Sequence, residues 1–166
     1  MNREEVAAAL DATDLRLLDA LQLDASRSNQ ALAEAVGVSP ATALRRVRRL
    51  VESGVIERQV ALLSPEALGA GLTAIAEVTL DRQGAEHLAA FEARAVAEPA
   101  VQQCYRVSPG PDLVLVCQVR DMPDWHALVQ RLFTQDANVR NVKTYFAVHR
   151  AKFEPRLPLP GATRPE

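Results

Sequence analysis

The stretch Ser39-Pro40-Ala41-Thr42-Ala43-Leu44-Arg45-Arg46-Val47-Arg48-Arg49-Leu50 decides how this chain is read. Ser39 is a capping residue, and Pro40 suits a first helical position, where its missing N–H costs nothing. Ala43, Val47, Leu50 and Val51 recur at helical spacing and give this helix an apolar inner face, with Gly54 as its stop. The opposite stripe reads as Thr42, Arg45, Arg46 and Arg49. From Ser39 to Arg58 five arginines (45, 46, 48, 49 and 58) stand against two acids, Glu52 and Glu57. Like charges three and four apart repel on a free helix, so such a stripe calls for an anion. Arginine at this spacing reaches N7 and O6 of guanine in the major groove, while its neighbours clamp phosphates. Thr42 lies near the helix start, the part of a recognition helix that meets base edges. A merely solvated helix face is the ordinary alternative. The lack of any acid in this helix before Glu52 favours nucleic acid over that reading.

Upstream, Asp11 with Asp14 three residues on forms a capping pair, and Leu17, Leu18 and Leu21 follow on one helical stripe. Ser28 or Asn29 caps a second helix carrying Leu32, Ala33 and Val36, and Gly37 supplies its left-handed stop. Helix, short turn, helix is the layout of a helix-turn-helix. Downstream, residues 55–63 read as a strand, and Ser64–Gly69 as one capped helical turn at the domain joint. Leu72, Ala74, Ala76, Val78 and Leu80 then alternate with more polar positions, as a half-buried strand does. Leu88, Phe91, Ala95 and Val96 form a helix stripe that stops before Pro99. Residues 101–108 and 112–120 are strands joined through Pro109-Gly110-Pro111. Asp121 caps a helix with Trp125, Leu128, Val129 and Leu132 inside, and Val142, Thr144, Phe146 and Val148 share one face of a last strand. The order β-α-β-β-α-β is the ferredoxin-like split arrangement. The expected fold is α+β, an N-terminal all-α winged helix-turn-helix followed by a C-terminal ferredoxin-like sandwich. The expected boundaries are 1–60 for the helical domain, 61–71 for the connector, 72–153 for the sandwich and 154–166 for a proline-rich, disordered tail.

Helices cover one face of an antiparallel sheet, yet Leu113-Val114-Leu115-Val116-Cys117-Gln118-Val119 is apolar on both. A partner subunit is the economical cover for the second face. The composition is ordinary: 166 residues, 48% hydrophobic, 24% charged, net charge −2. No apolar run is long enough to span a membrane, and the opening Met1-Asn2-Arg3-Glu4-Glu5 reads as no secretory leader. The two cysteines, Cys104 and Cys117, fall on the two hairpin strands nearly opposite one another. A disulfide fits that count, but buried free thiols in a reducing cytoplasm fit better. His87, His126 and His149 share no metal spacing, and no nucleophile–base pair or phosphate loop is present. No metal, cofactor or catalytic residue is expected.

Leu10-Asp11-x-x-Asp14-x-x-Leu17-Leu18, Ser39-Pro40 followed by Arg46-Val47-x-x-Leu50, and Gly54-Val55-Ile56 together resemble the leucine-responsive regulator/AsnC family of transcription factors. The resemblance continues through Ala61-Leu62-Leu63-x-Pro65, Val107-Ser108, Val119-x-Asp121-Met122 and Lys143-Thr144-Tyr145. It implies a winged helix-turn-helix joined to a ligand-sensing RAM domain, and homodimers built through the RAM sheets that assemble further into tetramers or octamers. It also implies a double-stranded, pseudo-palindromic operator read by Ser39, Thr42, Arg45, Arg46 and Arg49. Arg27 would touch a phosphate, with an exposed loop arginine as the equal alternative. An amino-acid-like effector would meet Ser108, Gly110, Asp112 and Thr144. The family's Gly-Asp-x-Asp loop is altered here to Pro109-Gly110-Pro111-Asp112, and two prolines delete two N–H donors. The rival class is an enzyme resembling sirohaem decarboxylases. That chemistry would leave a basic helix without a duplex and would require histidines to converge.

Overall fold

The computed structural model describes residues 10–69 and 71–159. Helix α1 (Ala12–Leu23) starts in a full capping box. The Asp11 carboxylate accepts from the Thr13 and Asp14 N–H groups at 2.9 and 2.8 Å, and Asp14 accepts from the Asp11 N–H at 3.2 Å. Helix α2 (Asn29–Val36) is capped by Ser28 and closed by Gly37 at φ 72°, a conformation that side-chain-bearing residues rarely adopt. Helix α3 (Pro40–Glu52) has Ser39 as its cap and proline in its first turn. Leu17, Ala20, Leu32, Ala33, Val36 and Ala43 make the small core of this unit, with Leu21, Val38 and Val47 packed at its edge.

Residues 55–63 form no strand. A strand exists only where a neighbouring strand takes up its N–H and C=O groups; here the Ile56 N–H turns back to the Leu50 carbonyl at 3.0 Å, and no described strand pairs with the segment. Val60, Leu62 and Leu63 are accordingly exposed. The turn at Ser64–Gly69 does form, with the Ser64 hydroxyl accepting from the Ala67 N–H at 3.1 Å and Gly69 at φ 69°.

Contacts divide the described chain into two units: residues 62–152 form one, and residues 153–159 belong with 10–61 in the other. Of the segment expected as a disordered tail, the described part contacts α1 through Arg156 and Leu157, and residues 160–166 lie outside the described residues.

The second unit is a four-stranded antiparallel sheet of order β2-β3-β1-β4. Its elements are β1 (Leu72–Leu80), α4 (Ala85–Ala97), β2 (Val101–Arg106), β3 (Leu113–Val119), α5 (Met122–Val129), a π-helical turn (Gln130–Thr134) and β4 (Val139–Phe146). This is the expected β-α-β-β-α-β order. On the inner face, Ala74, Ala76, Val78, Leu80, Leu113, Leu115 and Cys117 pack under Phe91, Ala95, Trp125, Leu128 and Phe133. Trp125 meets Phe146 edge to face at 5.7 Å.

Three expectations change. Val96 is exposed, because it falls a quarter turn off the Leu88/Phe91/Ala95 stripe. Val148 is fully exposed, since β4 ends at Phe146. Cys104 pairs with Leu115 and Cys117 with Val101, because β2 carries a register shift between Val101 and Gln103. The cysteines are thus not opposite and both are free. Burial pushes the Cys117 thiol up to about 12, so it stays protonated.

Within this unit both described helices pack on the inner face of the sheet, leaving the outer face to strand side chains. Val114 sits between Glu77 and Tyr105, and Val116 between Ile75 and Gln103. Tyr145 pairs with Ile75, and Lys143 with Glu77. Ile75, Tyr105 and Tyr145 are exposed.

Candidate DNA-binding surface and ligand domain

Helix α3 docks through Ala43 and Leu50, both buried, with Val47 between them. At 3.6 residues per turn the direction opposite that pair is occupied by Ala41, Arg45, Arg48 and Glu52, with Arg49 beside them. All five are exposed. The expected stripe of Thr42, Arg45, Arg46 and Arg49 is therefore displaced by part of a turn. Arg48, counted in the charge run but left out of the candidate set, takes the place given to Arg46. The signal for it was present in the sequence: positions 45, 48 and 52 are those furthest around the helix from Ala43 and Leu50.

Arg46 lies on the flank of α3 and turns towards α1. Its Nη1 donates to Asp11 Oδ2 at 2.6 Å and to Asp14 Oδ1 at 2.9 Å. Asp14 is 1% exposed and also accepts from Arg49 Nη2 at 2.5 Å. Removing a carboxylate from water in this way is tolerated only because charged donors surround it. The hydrogen bond from Arg46, helped by the Asp14 amide, holds the Asp11 carboxyl at about 2. Asp11 and then Asp14 raise the Arg46 guanidinium above its ordinary value. Arg46 thus fastens the third helix to the first. Arg49, half exposed, has one side on Asp14 and the other open to solvent.

Ser39 and Thr42 are joined at the start of α3. The Ser39 hydroxyl donates to Thr42 Oγ1 at 2.9 Å and accepts from the Thr42 N–H at 3.2 Å. Arg27 lies in the turn before α2, 3.8 Å from Asp24.

In the second unit, Ser108, Gly110 and Asp112 occupy the β2–β3 turn, with Gly110 at φ 123° and a cis peptide between Ser108 and Pro109. Asp112 is woven into the sheet rather than left open. Its N–H donates to the Val78 carbonyl at 2.9 Å, and its carbonyl accepts from the Val107 N–H at 3.1 Å. Its Oδ2 accepts from the Leu80 N–H at 2.7 Å and from Gln83 Nε2 at 3.3 Å. Thr144 pairs with Ala76 in β4, on the far side of β1 from β3. Two interstrand steps, roughly 10 Å, separate the two strands. One chain therefore does not bring Thr144 together with Asp112. A shallow concavity of about 260 Å³ lies at the opposite end of β3, lined by Gln118, Arg120, Asp124 and Arg131 among others. It contains none of the expected ligand residues. Among the described residues no three metal-binding side chains cluster, and no helix is long and apolar enough to cross a membrane.

Comparison with known proteins follows the same division. Residues 10–57 match a winged helix-turn-helix DNA-binding family, and residues 73–157 match the Lrp/AsnC ligand-binding domain. The leucine-responsive regulatory protein of Rhizobium meliloti is 38% identical over 147 residues, covering 89% of this chain and 94% of that protein. The Bkd operon transcriptional regulator of Pseudomonas aeruginosa is 34% identical, covering 92% and 99%. A transcriptional regulator of Neisseria meningitidis, solved as a complex with L-Met, superposes with a TM-score of 0.84 at 29% identity, over 90% of this chain and 97% of its own.

Proposed function

We infer, because this chain belongs to the Lrp/AsnC family of transcriptional regulators, that Arg45, Arg48 and Arg49 of α3 are the side chains it lays on its operator. The chain is a DNA-binding regulator with a small-molecule-binding domain. The family is one of regulators and not of enzymes, and nothing among these relatives supports the sirohaem-decarboxylase alternative. The observation that carries the site assignment is the exposed face of Arg45 and Arg48, with half-exposed Arg49 at its edge, while Arg46 is drawn back onto Asp11 and Asp14.

In this reading Arg45 reaches a base edge, and Arg48 and Arg49 meet phosphates. Ser39 and Thr42 present their linked hydroxyls at the helix start, and Arg27 stays with Asp24. Arg45→Ala is expected to cost about 1–3 kcal/mol on a specific site and to relax its base preference. Arg48→Ala weakens all duplexes alike and lowers the salt slope by about one unit. Titration of duplexes at several salt concentrations checks both. Unchanged footprints from the Arg45/Arg48 double alanine would refute the assignment.

Two copies meet through the uncovered sheet face. Val114, Val116, Ile75, Tyr105 and Tyr145 supply apolar area there, and Glu77 and Lys143 supply opposite charges that a two-fold axis pairs across subunits. The dimer presents two α3 helices, so its operator is pseudo-palindromic. Tetramers or octamers follow when dimers join. The protein works in the cytoplasm, where its DNA is.

Control by effector is linkage: a ligand that favours one assembly shifts the DNA-bound population by its differential affinity. In this chain the loop at Ser108–Asp112 is poorly furnished for an α-amino acid. Pro109 and Pro111 donate nothing, and the Asp112 carboxylate already serves the Leu80 amide. Gly110 keeps one N–H, Ser108 keeps a hydroxyl, and Thr144 joins them only if a second chain contributes it. Calorimetry against the twenty amino acids is expected to give weak or no heat. Micromolar binding abolished by Asp112→Ala would overturn this.

A further inference from the structure

The proline-rich C-terminal segment makes a specific seat on α1. Arg156 pairs with Asp19 at 3.3 Å, and both side chains are about four-fifths buried, 21% and 22% exposed. The Gln22 amide engages the Leu157 peptide from both sides: its Nε2 donates to the Leu157 carbonyl at 3.2 Å, and its Oε1 accepts from the Leu157 N–H at 2.7 Å. A further bond, from the Arg156 N–H to Glu154 Oε1 at 3.1 Å, shapes the segment itself. A two-way amide contact fixes register, because a slip of one residue would break both of its bonds. The chain thus leaves the DNA-binding unit once near residue 61 and returns to it at residue 153. A unit joined at one point swings freely, whereas a second attachment closes a loop and restricts its orientations. The helix receiving the strap also holds the reading helix, since Asp14 of α1 binds Arg46 and Arg49 of α3.

We propose that residues 153–158 are a strap, with Arg156 and Gln22 as positioning residues, that ties the DNA-binding unit to the ligand domain and so sets the half-site spacing the dimer accepts. The proposal rests on the operator-binding dimer inferred above. It makes a distinction that a purely stabilising role does not. Releasing the strap leaves α3 intact, so affinity for an isolated half-site stays as it was. What changes is the preference among spacings, because a singly tethered unit reaches half-sites that a doubly tethered one does not.

The test uses full-length protein and a duplex recovered by selecting bound genomic fragments. Affinity is measured on the native spacing, on a spacing lengthened by half a helical turn (about 5 bp), and on a single half-site. Wild type is expected to prefer the native spacing at least about tenfold, and Arg156→Asp to flatten that preference to about twofold, with half-site affinity unchanged. The exchange of charges in Asp19→Arg/Arg156→Asp restores the preference. Hydrogen exchange without DNA supplies an independent readout, with the Leu157 amide protected in wild type and released in Arg156→Asp. A spacing preference that Arg156→Asp retains overturns the proposal alone, as does equal weakening on half-site and full site. A Leu157 amide that exchanges in wild type as in a free peptide also overturns it. A wild type that binds no duplex removes the operator reading, and the proposal with it.

Discussion

Asp14→Ala is expected to lower the unfolding free energy of the helical unit by about 3–5 kcal/mol, the cost of breaking a buried ion pair from one side. This carboxylate is 1% exposed and has three partners: Arg46, Arg49 and the Asp11 N–H. Alanine removes all three bonds and leaves the Arg46 guanidinium, which already has a buried Nε without a partner, facing a cavity, while half-exposed Arg49 loses its counter-charge. Thermal unfolding of that unit should show a fall in Tm of roughly 12–40 °C, at about 4–8 °C per kcal/mol for a domain of this size. Arg46→Ala should lower Tm as well, by releasing α3 from α1, while duplexes that still bind keep their rank order. The opposite pattern, a stable Arg46→Ala protein with altered base preference, would return Arg46 to the DNA-reading set and refute its structural role.

Val116→Asp is expected to convert the assembly to a single chain of 18.1 kDa in light scattering. In one chain Val116 is only half buried, between Ile75 and Gln103, so an aspartate there remains hydrated and the domain folds. Against a second sheet the same carboxylate has no counter-charge beside it. Burying it would cost several kcal/mol, and a two-fold interface incurs that cost twice. Val114→Asp differs usefully, because Val114 lies beside Glu77 and adds like-charge repulsion. A wild-type protein that scatters as a folded monomer at micromolar concentration would refute this interface. A Val116→Asp protein that keeps the wild-type mass would refute it equally.

Much of the architecture was legible along the chain because the relevant forces are local. Asp11, Ser39 and Asp121 cap the helices they were expected to cap, and of Ser28 and Asn29 it is Ser28 that caps α2, since a side-chain oxygen beside free amides acts within three residues. The alternation from Leu72 to Leu80 identified β1 and its buried face for the same reason of short range. What failed depended on partners remote in sequence. Residues 55–63 carry a strand's composition but have no neighbour to pair with in the described chain. The expected meeting of Thr144 with Asp112 is left to a second copy, because the sheet order puts β1 between their strands within one chain.

The arginines of α3 show where that boundary falls. Their number, their helix and their net positive charge follow from the sequence by itself, and with the family pattern these suffice to name a DNA-binding regulator. Which of them face solvent, free to meet a partner, was decided by tertiary structure. Arg46 is withdrawn because Asp14, 32 residues earlier, is buried against it and demands a counter-charge. Arg48 is left outward because Ala43 and Leu50 face the core on the opposite side. The described part of the C-terminal segment shows the same at longer range: Arg156 and Leu157 are held by Asp19 and Gln22, 137 and 135 residues away. Charge and propensity are properties of a residue, whereas desolvation and pairing belong to the set of neighbours that the fold assembles around it.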